Sequence, residues 1–197
     1  MTTTEERIGW TVAQLDWIPW VPTVYESNYS PEFIAEVEER TPVAKKSVYF
    51  ATLAHDLPVL EQRMLIFNAS LRSEGGATSA ERELAAVAAS RVNGCVYCAS
   101  VHARAFNSLS NKPEVIEAIY AEGVDAPLAD PRLAAIVAFS AKLTDDHANL
   151  TSADLKPLRD AGLSDLEILD VTHAAAMFGW ANRLMLTLGE PALPSKQ

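Results

Sequence analysis

Two cysteines and a histidine in the middle of the chain have the residue types and the spacing of a thiol redox centre. Cys95 and Cys98 are separated by two residues, and His102 follows four residues later. On a helix that starts at Cys95, the three side chains would lie within about 60° of one another, on one face. Thiols in the first turn of a helix meet unpaired N–H groups and a partial positive charge, which favour the nucleophilic thiolate. His102 could then accept a proton or pass it on.

The cysteine pair has two other interpretations, namely inert buried thiols and a zinc site. A structural zinc site needs four ligands, whereas the other histidines, His55, His147 and His173, are isolated in the sequence. A disulfide within the pair would close a very short loop and would therefore stabilise the fold little. Redox chemistry is the favoured interpretation.

Glu83 is the carboxylate that could join this centre, but only if the chain turns back. It lies twelve positions before Cys95, which is about 18 Å along one unbroken helix. Asn93 and Gly94 offer a break, because glycine adopts left-handed dihedral angles and ends helices well. The spacing alone does not bring Glu83 to the thiols.

The residues of this centre are predicted to lie on α-helices. No stretch shows the sustained alternation of a strand, and glycines and prolines fall mostly between apolar-periodic segments. Capping-box sequences begin helices at Thr78 and Ser164. We expect helices at about 31–40, 43–53, 58–71, 79–93, 95–109, 113–120, 131–143, 151–161 and 164–188. The sequence thus predicts an all-α protein with the cysteine pair at the start of a helix.

The chain is expected to divide into residues 1–41, an N-terminal arm with a first helix, and residues 42–190, a helical domain. The arm holds Trp10, Trp17 and Trp20. Its aromatic side chains are expected to pack on the body or on a neighbouring subunit.

Charge and hydropathy exclude several functional classes. The 197 residues carry a net charge of −10, which would repel nucleic acid and anionic membranes. No apolar run approaches the roughly 20 residues that span a bilayer, and the N-terminus lacks the apolar segment of a signal peptide. We therefore expect a cytoplasmic protein without a nucleic-acid or membrane partner.

The pattern Glu83-x11-Cys95-x2-Cys98-x3-His102 resembles the signature of the AhpD-like alkylhydroperoxidases. These proteins belong to the carboxymuconolactone decarboxylase superfamily. The chain length, the N-terminal extension and the stretch Trp180-Ala-Asn-Arg183 further resemble the branch called peroxidase-related enzymes.

The resemblance implies an AhpD-like helical fold that assembles into trimers or hexamers. It implies a cysteine peroxidase without metal, haem or flavin, in which Cys98 is the peroxidatic thiol and Cys95 the resolving thiol. His102 and Glu83 resemble the proton-relay pair. The substrate would be a small hydroperoxide, and an external dithiol, in the prototype a protein-bound dihydrolipoamide, would reduce the resulting disulfide.

The chain departs from the prototype at one position, because the prototype carries a histidine immediately before its second cysteine. Here that position is Tyr97, a poor base at neutral pH. Two other functions stay open: a non-catalytic thiol redox sensor, and a decarboxylase-like enzyme acting on a small lactone. The superfamily's decarboxylases typically lack the cysteine pair, which argues against the last.

The last helix carries further candidates. His173, Met177 and Trp180 share a face, which is typical of a core stripe and could also wall a pocket over the cysteines. Asn182 and Arg183 could touch a substrate or pair with Glu83, or form a surface salt bridge.

Overall fold

Helices account for most of the fold, as the sequence predicts. The computed structural model describes residues 8–194. Its α-helices are α1 Pro31–Arg40, α2 Val48–Leu53, α3 Leu57–Arg72, α4 Ser79–Val92, α5 Val96–Ser110, α6 Pro113–Glu122, α7 Pro131–Asp145, α8 Lys156–Asp160 and α9 Asp165–Leu188. The all-α prediction is confirmed.

Two of the predicted helices are shorter than expected, each preceded by a 3-10 turn. Residues Pro42–Lys46 form one such turn, after which Ser47 caps α2 by accepting a hydrogen bond from the Phe50 N–H at 3.4 Å. Residues Ser152–Leu155 form the other, and α8 follows with Pro157 in its first turn. Proline is tolerated there because the N–H it lacks has no partner within the helix.

A two-stranded antiparallel sheet joins the two ends of the chain, and the sequence did not predict it. Strand β1 (Asp16–Pro19) pairs with strand β2 (Gly189–Ala192), with Trp17 opposite Pro191. Four residues are too few for a recognisable alternation, and the partners are more than 160 positions apart in the sequence. Only the tertiary fold brings them together.

Helix α4 lies at the centre of the core, and every residue from Glu81 to Ser90 is buried. It packs against α5, α7 and α9. Alanines at 85, 86, 88 and 89 present small side chains to these neighbours, so the helices approach closely. A charged side chain on α4 must consequently find its partners inside the protein.

Both predicted capping boxes are present, and one arginine joins them. Glu81 closes the box of Thr78 at the start of α4, and Glu167 closes that of Ser164 at the start of α9. Arg132 of α7 donates to Glu81 and to Glu167, at 2.5 Å each. The shared cation fixes the starts of α4 and α9 relative to α7.

The described part of the arm packs on the body. Trp17 is buried, and its Nε1–H donates to the Met185 carbonyl at 3.3 Å. The Trp10 ring lies 4.4 Å from the Arg91 guanidinium, whereas Trp20 is exposed. A small apolar cluster combines residues from both sides of position 41, namely Val24, Val37, Ala44, Ala54, Leu57 and Leu60. The division at residues 41 and 42 stays a prediction.

Candidate functional site

A tight turn between α4 and α5 places the cysteine pair. Gly94 has a φ of 75°, the left-handed conformation that glycine adopts without steric cost. The Cys95 N–H donates to the Ser90 carbonyl at 2.9 Å, and the Gly94 N–H donates to the Arg91 carbonyl at 3.4 Å. These two bonds form a Schellman motif, which ends α4 and reverses the chain. The expected break is present.

Helix α5 begins immediately after this turn, with Cys95 as its N-cap residue and Val96 as its first residue. Cys98 is therefore in the first turn, and His102 lies one turn later on the same face. Both cysteines are free, with 1% of Cys95 and 5% of Cys98 exposed.

The reversal brings Glu83 to His102 within one chain. Oε2 of Glu83 lies 2.5 Å from Nδ1 of His102, and the Glu83 side chain is completely buried. With Nδ1 donating to the carboxylate, Nε2 is the ring nitrogen left to exchange a proton elsewhere. The pair thus has the geometry of a base and its orienting carboxylate.

Two phenylalanine rings pack against the imidazole ring of His102 and hold it in place. The ring of Phe178 meets the His102 ring edge to face, with centroids 4.3 Å apart. Phe67 approaches the same ring at 6.2 Å and lies 5.9 Å from Phe178. The sequence gives no signal for either residue, because phenylalanines in apolar helices are ordinary core residues.

Arg72 also contacts the relay, and it too was missed from the sequence. Its Nη1 lies 2.7 Å from Oε1 of Glu83, close enough for an ion pair although not aligned as a hydrogen bond. Half of the Arg72 side chain is exposed at the end of α3, so the pair links the buried carboxylate to the surface. A basic residue in a last helical turn gives no sequence signal for such a role, since it also complements the helix dipole.

The two thiols differ in acidity. The thiol of Cys98 donates towards Cys95 and, with the Cys98 backbone N–H and the Asn182 amide, lowers the pKa of Cys95 against the opposing effect of burial. The pKa of Cys98 is raised well above its ordinary value, first by this bond to Cys95 and then by burial, while Asn182 and the Arg63 charge act in the opposite direction. When the reduced pair loses a proton, therefore, the negative charge lies on Cys95.

Asn182 and Arg183 have very different environments. Asn182 is completely buried, donates to the Ser90 hydroxyl at 3.1 Å and accepts from the Asn93 side chain at 3.0 Å. It therefore links α9 to the end of α4, immediately before the cysteine pair. Arg183 is exposed and bonds to the Gly179 carbonyl of its own helix. Neither side chain pairs with Glu83.

The face of α9 singled out from the sequence is not the one that covers the site. His173 and Trp180 are exposed, and of that set only Met177 is buried in the core. Phe178, one position later than Met177, contacts His102 instead. The core-stripe interpretation is thus wrong for two of its three residues, because α9 is apolar over more than one face and periodicity did not select between them.

Tyr97, which stands where the prototype has a histidine, faces a cavity of about 590 Å³ that is also lined by β1, Lys46 and Tyr49. Burial raises the pKa of Tyr97, and charge on Cys98 adds to the effect. Tyr97 is consequently protonated at neutral pH.

Histidines outside the centre have other surroundings. His147 is exposed in a 3-10 turn. His55 lies 2.7 Å from the Pro22 carbonyl and 3.0 Å from the Tyr29 hydroxyl, and so holds the arm. Among residues 8–194, no three His, Cys, Asp or Glu side chains are grouped as a metal-ligand set, and no helix there is long and apolar enough to cross a membrane.

The chain is similar to one known protein family in sequence and to solved structures in fold. The sequence model of the carboxymuconolactone decarboxylase family matches residues 58–141, the segment that contains Glu83, both cysteines and His102. A search of curated proteins gives no significant match.

Two solved structures resemble the chain over most of its length. One is described as the alkylhydroperoxidase AhpD core of an uncharacterized peroxidase-related protein from Ralstonia eutropha JMP134. It has a TM-score of 0.65 and 28% sequence identity, and the match covers 80% of this chain and 81% of that one. The other is an uncharacterized peroxidase-related protein from Silicibacter sp. TM1040, with a TM-score of 0.66, 25% identity, and coverage of 87% and 94%. The resemblance and the AhpD-like fold are confirmed.

Proposed function

We propose that this chain, whose residues 58–141 match the carboxymuconolactone decarboxylase family and whose fold is AhpD-like, is a cysteine-based hydroperoxide reductase. One observation carries the proposal. A free thiol pair shares a helix start with a histidine whose Nδ1 is held by a buried carboxylate. Nucleophile and base lie one turn apart on α5, and the orienting group contacts the base, which is an arrangement that nucleophilic catalysis uses.

The reaction begins at Cys98. Its proton moves to Cys95 or, through His102, away from the pair, which leaves Cys98 as the thiolate. The thiolate attacks the outer oxygen of the hydroperoxide, the O–O bond breaks, and the remaining oxygen takes up a proton and leaves as water or an alcohol. Cys98 becomes a sulfenic acid. Cys95 then attacks the Cys98 sulfur, a disulfide forms, and the hydroxyl group leaves with a proton as water.

An external dithiol completes the cycle. It attacks the disulfide, forms a mixed disulfide with one sulfur and then closes its own disulfide, returning two thiols to the protein. The Cys98 backbone N–H and the Asn182 amide, which lower the pKa of Cys95 in the reduced pair, are still present in the disulfide and make Cys95 the better leaving group in this step. A dithiol-donating protein, with protein-bound dihydrolipoamide as one form, suits the role. A cytoplasmic location fits, since thiols stay reduced there.

Two other functions have specific support. Both thiols are almost fully buried, which would suit a redox sensor whose disulfide changes a contact rather than turning over. The name of the matched family points to decarboxylation of a small lactone, which would use His102 and Glu83 without thiol oxidation.

Counting free thiols separates these functions. We expect one equivalent of an organic hydroperoxide to remove both thiols of the reduced protein, and a dithiol to restore them repeatedly. Cys98→Ser should abolish peroxide consumption, while Cys95→Ser should trap a sulfenic acid or a mixed disulfide. Reversed behaviour would exchange the two roles, and one oxidation without turnover would favour the sensor. Thiols that ignore peroxide would contradict the reductase.

We also propose that the protein is a homo-oligomer, a trimer or a hexamer. Large apolar side chains are exposed on α3 and α9, among them Leu65, Ile66, Leu166 and Leu169, which is surface that an interface could cover. Sedimentation equilibrium at micromolar concentration should give three or six times 21.4 kDa. A monomer would contradict the proposal.

A further inference from the structure

A buried cation that has no anionic partner among the described residues packs on Phe67, the ring that also approaches His102. Arg63 of α3 is 4% exposed, and its guanidinium lies 5.5, 5.1 and 4.9 Å from the ring centroids of Tyr49, Phe50 and Phe67. Nη1 reaches the Met64 sulfur at 3.8 Å, whereas Nε has no acceptor among residues 8–194. Aromatic faces offset part of the cost of burying this charge, but a donor without an acceptor stays costly.

Tyr49 adds a second unused donor. Its hydroxyl is buried and has no hydrogen-bond partner in the described part of the chain. Burial raises the pKa of Tyr49 to about 12, and charge on Cys98 and Cys95 adds to this, whereas the Arg63 charge and the approach of its N–H groups to the hydroxyl oxygen oppose it. The hydroxyl is therefore protonated at neutral pH. Because Arg63 can only donate, the Tyr49 O–H proton stays free for another acceptor.

Each donor shares a neighbour or a cavity with a residue of the candidate site. Phe67 packs under Arg63 on one side and approaches His102 on the other. Tyr49 belongs to the same core cluster as both cysteines and lines the cavity that Tyr97 also faces. Arg63 can only donate hydrogen bonds, so a ligand between these groups must be an acceptor or an anion.

We propose that Arg63 and Tyr49 form an oxyanion subsite, which binds the peroxide and stabilises the oxygen that leaves when Cys98 breaks the O–O bond. This inference rests on the proposed function and assigns residues outside the sequence signature. As the bond breaks, the electron pair goes to the leaving oxygen, which becomes an alkoxide. The guanidinium stabilises that charge, and Tyr49 donates a hydrogen bond to it until a proton arrives from the relay. The phenylalanine rings beside Arg63 suit an organic hydroperoxide.

The test compares two reagents that both react with the Cys98 thiolate but have different leaving groups. Cumene hydroperoxide expels an oxygen, whereas iodoacetamide expels iodide and does not need the subsite. Tyr49→Phe removes only the hydroxyl, and Arg63→Lys keeps the charge without the Nε donor. Each variant should slow oxidation of the reduced protein by cumene hydroperoxide about a hundredfold, with the alkylation rate at the same pH largely unchanged.

Tyr120→Phe is the matched control, because its hydroxyl is also buried without a partner among the described residues but lies beside Trp10. We expect it to leave both rates unchanged. Equal slowing of oxidation and alkylation in Tyr49→Phe would mean that only the thiolate is affected and would overturn the subsite, as would unchanged oxidation. If wild-type thiols react and Tyr49→Phe reacts equally fast, the subsite alone fails. If wild-type thiols ignore cumene hydroperoxide, the reductase and the subsite fail together.

Discussion

At the scale of single residues, the centre is asymmetric although its two thiols are chemically identical. Cys95 is the N-cap residue of α5, and donation from the Cys98 thiol and from Asn182 lowers its pKa, whereas Cys98 supplies the proton. The same proton therefore lowers the pKa of one sulfur and raises that of the other. The asymmetry gives the two thiols different roles. Cys95 carries the negative charge more readily and is the better leaving group, and Cys98 becomes the nucleophile once its proton moves.

The thiolate titration should show this asymmetry directly. Absorbance at 240 nm of the reduced protein should rise in two separate steps, one below and one well above the ordinary cysteine range. Cys98→Ala removes the thiol that donates to Cys95, so the remaining step should move to higher pH. Cys95→Ala should move the Cys98 step down, since the charge that opposes its ionisation is gone. Two thiols that titrate together would contradict the difference in acidity between Cys95 and Cys98.

Glu83 should matter for rate more than for substrate binding. Glu83→Gln keeps the shape of the side chain but removes the charge that orients the His102 ring and would stabilise its protonated form. We expect the rate of thiol oxidation by peroxide to fall about tenfold, with little change in the concentration of peroxide that gives half the maximal rate. Glu114→Gln, which alters an exposed carboxylate on α6, should leave the rate unchanged. A Glu83→Gln variant as fast as wild type would remove Glu83 from the mechanism.

At the scale of elements, the turn between α4 and α5 assembles the centre. It lets α5 pack back along α4, so that residues nineteen positions apart come within 2.5 Å. The turn depends on Gly94, whose backbone is left-handed and exposed. An added Cβ would meet nothing within 4 Å, so the cost of substitution is in the backbone alone.

Gly94→Ala should therefore destabilise the fold by about 1 kcal/mol, the cost of a left-handed conformation for a residue with a Cβ. Urea denaturation of the reduced protein measures this free energy of unfolding. Gly9→Ala is the control, since its φ is not positive and its surroundings are open, and it should have no measurable effect. Equal effects of the two substitutions would contradict the role of the turn.

At the scale of the whole molecule, the two chain ends close over the aromatic side of the site. The β1–β2 pair holds Trp17 against Tyr49, with ring centroids 5.3 Å apart. Arg104 adds a hydrogen bond to the Ala13 carbonyl at 2.7 Å. The arm consequently forms one wall of the cavity that leads to Tyr49 and Tyr97.

Gly189→Ala should loosen this closure. A Cβ at Gly189 would collide with the Ile18 carbonyl and the Trp17 ring, which should cost about 1–3 kcal/mol by overpacking. We expect lower stability in urea and a red-shifted tryptophan emission as Trp17 meets water. Gly75→Ala also costs stability, because its φ is 79°, but nothing lies within 4 Å of the added Cβ, so it should leave the emission unchanged. An unshifted emission for Gly189→Ala would show that the arm is not held there.

The helices, the capping boxes, the break at Gly94 and the four signature residues can all be predicted from the sequence. These follow from local chemistry: periodicity, capping and glycine dihedral angles act over a few neighbouring positions. That locality is also why the period of a single helix suffices to place Cys95, Cys98 and His102 on a common face.

The sequence does not indicate which distant residues meet. The contact of Glu83 with His102, the partners Arg72 and Asn182, the choice of Phe178 rather than Trp180, and the β1–β2 pair all depend on how helices pack. Arg63 shows the reason most clearly. In the sequence it is an ordinary basic residue of a helix, and its charge is buried only because three aromatic rings from α2 and α3 enclose it.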